Sequence, residues 1–103
     1  ANNNRSMQKE LLNKETAERW RILYCNSLKN YMAHACVDGL LNILTDSGES
    51  EKLKGCLLEA LAWFTHSYRK PDILQACDRL RKDKNLSESL REEADRTYHR
   101  LKD

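Results

Sequence analysis

The stretch "TDSGESEKLK" (residues 45–54) decides how this chain folds, because "KDKNLSESLR" (residues 82–91) repeats its plan 37 positions later. Asp46 and Asp83, Ser50 and Ser87, Glu51 and Glu88, and Leu53 and Leu90 coincide, and Arg91 stands where Lys54 does. Asp, Ser and Gly together mark a loop. The Ser that follows offers an N-cap, and the Glu after it suits the positive end of a helix dipole. Each copy therefore reads as the turn and second-helix start of a helix–turn–helix pair.

Working outward, residues 37–64 lie over residues 74–101 without a gap. Val37 meets Leu74, Leu40 meets Cys77, Ile43 meets Leu80, Leu57 meets Ala94, Leu61 meets Tyr98, and Phe64 meets Leu101. A shared apolar register at helical spacing counts for more than the few identities. The 37-residue period falls within the range of about 20 to 50 typical of helical arrays. Pro71 fits the first turn of a helix. Its counterpart is His34, so a helix is expected to start near 34 and "NYMA" (30–33) to hold a turn. One helix running from about 16 to 45 is the alternative.

The second copy, "DILQACDRLRKDKNLSESLREEADRTYHRLKD" (72–103), resembles a HEAT-type repeat, and the resemblance covers roughly residues 34–102. It implies that Asp46 with Lys54, and Asp83 with Arg91, link neighbouring units through their inner turns. It also implies binding through surfaces. The turn is longer than the commonest HEAT form, and the usual Pro within it is missing.

The mismatches between copies predict the packing. Leu41, Leu44, Cys56, Leu58 and Trp63 face Asp78, Arg81, Glu93, Asp95 and Arg100. An internal unit is covered on two sides, and a terminal one turns a charged face to water. The first pair is thus expected between an N-terminal helix and the second pair. Trp20, Leu23, Tyr24, Leu28 and Tyr31 give that N-terminal helix its stripe.

Composition agrees with an all-α domain, and the repeat register with the resemblance implies about five helices stacked HEAT-like, with an irregular four- to five-helix bundle as the alternative. Of 103 residues 33% are charged, and only three Gly and one Pro interrupt them. Residues 1–6, "ANNNRS", are expected to be an appended remnant or a disordered tail, and 7–103 a single domain. A net charge of +2 is too small to advertise nucleic acid or an anionic membrane.

The four cysteines, Cys25, Cys36, Cys56 and Cys77, are widely spaced, and none forms a C-x-x-C pair. They read as reduced core residues of a cytoplasmic protein. Neither they nor His34, His66 and His99 stand at a metal-ligand spacing, so no metal or cofactor is expected. A nucleophile, its base and an oxyanion donor are not assembled by any motif, so no enzyme is expected.

The expectation for function is a protein–protein interaction module, an adaptor, chaperone-like or regulatory, with Trp63, Trp20, Tyr24 and Tyr68 as partner contacts. Trp63, adjacent to Phe64, can instead pack on the N-terminal helix. The alternative function is a nucleic-acid-associated accessory domain using Arg69, Lys70, Arg79, Arg81, Lys82 and Lys84, though Asp72, Asp78 and Asp83 are interspersed. A homodimer burying the N-terminal helix is a third expectation.

Overall fold

The computed structural model describes the backbone of residues 2–28 and 36–103 and the side chains of residues 6–28 and 36–103. Among the described residues it is all-α, with six helices: α1 (Asn2–Leu12), α2 (Glu18–Ser27), α3 (Val37–Thr45), α4 (Glu51–Leu61), α5 (Lys70–Arg81) and α6 (Glu88–Lys102). The count exceeds the expected five because "QKELL", made of strong helix formers, is a helix of its own. Its backbone is helical from Asn2, through part of the stretch expected to be a tail. Between α2 and α3 the expected break near residue 32 and the helix start near His34 lie outside the described residues.

Each short turn lays the next helix against the previous one, giving the pairs α1/α2, α3/α4 and α5/α6. The pairs pack in order. α3 touches α1 and α5, while α4 touches α2 and α6. The result is a slab with extents of 37 × 29 × 17 Å, whose thin dimension is that of two helix layers. Leu40, Leu44, Leu53, Leu57, Leu58, Leu61 and Phe64 of the middle pair are fully or almost fully buried, with Ile73, Cys77 and Leu101 beside them.

Of the five apolar residues that distinguish the first copy, Leu44 and Leu58 are buried and Leu41 and Cys56 are half-buried. Trp63 differs from the expected packing. It lies just past the end of α4 and is 54% exposed, because Phe64, next to it, takes the inward position.

Candidate functional site: the turn row and its cleft

The three turns that join the helices within pairs are built alike. In each, an Asn or Asp side chain accepts a hydrogen bond from the backbone two residues on. Asn13 Oδ1 takes Glu15 N at 2.9 Å, Asp46 Oδ1 takes Gly48 N at 2.8 Å, and Asp83 Oδ1 takes Asn85 N at 2.9 Å. In each, the same residue's carbonyl accepts from the N–H three residues on, at 3.1 to 3.2 Å. Such side chains favour turns because they imitate the backbone bond that a turn needs.

Five residues after the Asn or Asp, each second helix opens on Glu18, Glu51 or Glu88. Eight residues after it stands Arg21, Lys54 or Arg91. Residues 13–21 are thus a third copy. It escapes an overlay at period 37 because it lies 33 positions before the second, with Asn for Asp and Ala17 for Ser. The spacing Asn/Asp-x4-Glu-x-Trp/Leu-Arg/Lys is the sequence signal that finds it.

Adjacent turns are tied together. Lys14 pairs with Asp46, and the Ser50 hydroxyl donates to Glu18. Ser87 N donates to Glu51 Oε2 at 3.2 Å. The helix-opening Glu of one pair therefore grips the N-cap Ser of the next in both cases. Ser50 and Ser87 also cap their own helices, accepting from Leu53 N and Leu90 N at 3.1 Å.

The strongest tie is Arg21. Its Nε donates to the Leu11 carbonyl, and its two terminal nitrogens donate to both carboxylate oxygens of Glu49, all at 2.8 Å. Both side chains are almost wholly buried. This fork-on-fork pairing is the arrangement for which a planar guanidinium is suited. It holds the Glu49 carboxyl below the ordinary glutamate range.

The corresponding basic residues lack such a partner. Lys54 is 4% exposed, and its ammonium makes no hydrogen bond among the described residues, because Leu86 stands where Glu49 stands one turn earlier. Arg91 Nε is buried without an acceptor. Neither Asp46–Lys54 nor Asp83–Arg91 is joined by a hydrogen bond. Lys54 belongs to a cleft of about 620 Å³ between the 46–50 and 82–87 turns, together with Leu44, Leu80, Leu86, Glu49, Glu51, Asp83 and Arg79.

The other expected contact residues are dispersed. Trp20, on α2, is 45% exposed and Tyr24 is half-buried, whereas Tyr68, in the loop before α5, is 74% exposed. In the basic group, Arg69 pairs with Asp72 at 2.8 Å and with Asp38. Arg81 holds Asp78 at 2.8 Å and Asp95 at 3.1 Å, and lies 3.7 Å over the Tyr98 ring. Lys82 also reaches Asp78, at 3.1 Å. The side chains of Lys70, Arg79 and Lys84 make no ion pair among the described residues.

Burial pushes the Cys36 thiol up to about 11 and the Cys77 thiol up to about 12, so neither is a thiolate at neutral pH. No helix among the described residues is long and apolar enough to cross a membrane. No family model, no curated protein and no solved structure matches this chain.

Proposed function

We propose that this chain is a protein–protein interaction module of small, HEAT-like helical-repeat type, an adaptor, chaperone-like or regulatory component of the cytoplasm. The three equivalent turns, the recurring basic residue and the ordered packing of pairs support the HEAT-like assignment.

One observation carries the functional reading. Trp20 occupies the register that is buried in the other two copies, where Leu53 and Leu90 are 1% and 4% exposed. Leu23, one turn further along the same face, is 50% exposed. A half-covered indole beside an open Leu, on an ordered helix, is the kind of anchor around which protein interfaces concentrate their energy. A partner helix laid along α2 would cover both. The basic surface supports nucleic acid less well, since Arg69, Arg81 and Lys82 already spend their charge on carboxylates.

The test is affinity capture from the native cell extract, followed by titration of the purified partner against the purified chain. Trp20→Ala is expected to weaken binding at least tenfold with helicity unchanged, while Lys70→Glu and Lys84→Glu leave it alone. Binding that ignores Trp20→Ala but falls steeply with salt, and with the two charge reversals, would replace this reading with the nucleic-acid one. Light scattering that finds a dimer lost in Trp20→Ala would assign the α2 face to a second copy.

A further inference from the structure

We propose that the cleft between the 46–50 and 82–87 turns is a carboxylate-binding site for an acidic residue, flanked by aliphatic ones, in a partner protein. The inference rests on the interaction reading but concerns a different surface from α2.

Arg21 shows what this position in the turn row demands. A buried cation there is neutralised by a carboxylate supplied from the following turn. Lys54 sits in the same register, its side-chain stem as well covered as that of Arg21, and the following turn supplies Leu86 instead. Its stem is buried while its Nζ opens on the cleft, where the three donors of the ammonium have no protein acceptor among the described residues and face whatever enters. Its neighbours do not fill the need. Asp46 and Glu51 feel the charge of Lys54, but Asp46 is committed to Lys14 and Gly48 N, and Glu51 to Ser87. Glu49 belongs to Arg21, and Asp83 to Asn85 N.

Arg79, exposed on the cleft wall and without an ion pair among the described residues, adds a second cation. Leu44, Leu80 and Leu86 supply an apolar wall. About 620 Å³ lies within the range of roughly 300 to 1,000 Å³ typical of ligand sites. The occupant is therefore anionic at one point and aliphatic beside it. The carboxylates of Glu49, Glu51 and Asp83 in the same cleft penalise a phosphodiester chain, which would bring a charge at every step. A single Glu between leucines meets both demands.

The probe is a fluorescein-labelled peptide with a Leu-Glu-Leu core, and its Leu-Gln-Leu counterpart, titrated by anisotropy against the full chain. The Glu peptide is expected to bind at least tenfold more tightly than the Gln peptide. Lys54→Met removes that preference and Lys54→Arg retains it. Leu86→Glu supplies the missing carboxylate from within, so it raises the melting temperature and abolishes peptide binding. Arg79→Ser, an exposed change compatible with the fold, weakens binding severalfold and serves if either cleft variant fails to fold.

Equal binding of the two peptides, no saturation at millimolar concentration, indifference to both Lys54→Met and Arg79→Ser, or displacement of the peptide by a single-stranded oligonucleotide would each overturn the proposal. Trp20→Ala leaves peptide binding intact, so the two surfaces succeed or fail separately.

Discussion

The Arg21–Glu49 pair shows how one residue choice fixes the stack. The guanidinium joins three elements, donating to the Leu11 carbonyl at the end of α1, extending from α2, and reaching the turn before α4. Pairing of this kind contributes little net stability against an apolar replacement of both partners, but removing one partner strands the other. Glu49→Gln is therefore expected to cost about 3 to 5 kcal/mol in urea denaturation at neutral pH, comparable to breaking other buried pairs. The folded value of Glu49 lies below its ordinary 4.5, chiefly through the hydrogen bonds from Arg21. A depressed carboxylate contributes stability that is fully present above the unfolded value and lost as pH falls through the folded one. Stability should decline as pH drops below about 4.5, and the decline should be shallower in Glu49→Gln. A Glu49→Gln protein with the same acid limb as the parent would remove Glu49 from this role.

At the scale of the element, the helix starts are the most instructive feature. Ser50 and Ser87 cap α4 and α6 with backbone angles of φ −71°, ψ 150° and φ −63°, ψ 154°. Ala17 holds almost the same conformation before α2, φ −57°, ψ 139°, and has no oxygen with which to cap. Ala17→Ser should therefore stabilise the protein by about 0.5 to 1 kcal/mol, and Ser87→Ala should cost about 1 kcal/mol through loss of the cap. Thermal melts of the two variants check both signs. Gly55, inside α4, gives a second case. A Cβ there would meet nothing closer than Leu90 Cδ1 at 4.0 Å, an ordinary contact. Gly55→Ala is expected to gain about 0.5 to 1 kcal/mol from helix propensity alone.

These same elements show what was legible in the sequence. Ser50–Glu51 and Ser87–Glu88 announced α4 and α6 because a cap and its helix dipole are local chemistry. The swaps at Leu44 and Leu58 announced burial of the middle pair because apolar register is local too. The copy at residues 13–21 was obscured because Ala17 removes the cap signal and the spacing shortens to 33. The Lys54 cleft was not legible at all. Its meaning depends on Leu86 replacing the counterpart of Glu49, and that correspondence between turns emerges only when Arg21 and Glu49 are seen together. Trp63 illustrates the remaining limit, since two adjacent rings cannot both face inward and only packing decides between them.

Across the whole molecule, the order of packing predicts a gradient of stability. The central helix α4 contacts α2, α3 and α6, and Leu53, Leu57, Leu58, Ala60 and Leu61 are all 0 or 1% exposed. Thr97 on α6 adds a bond across the pairs, donating to the Leu58 carbonyl at 2.9 Å. At the other extreme, α1 contacts α2 and α3, and Leu11 is its one fully buried side chain among those described. Leu12, folded against Gly39, remains 37% exposed. Regions with few buried apolar contacts open at lower free energy than the core. Amide exchange should therefore release α1 through a local opening, while α4 exchanges only on global unfolding. Leu58→Ala is expected to lower α4 protection by about 2 to 5 kcal/mol, a large share of the roughly 5 to 15 kcal/mol that holds a domain folded. Leu11→Ala should instead accelerate exchange in α1 while α4 keeps most of its protection, because Arg21 and Glu49 still tie α2 to the middle pair. Equal loss of protection in α1 and α4 on Leu11→Ala would mean that the three pairs unfold as one unit.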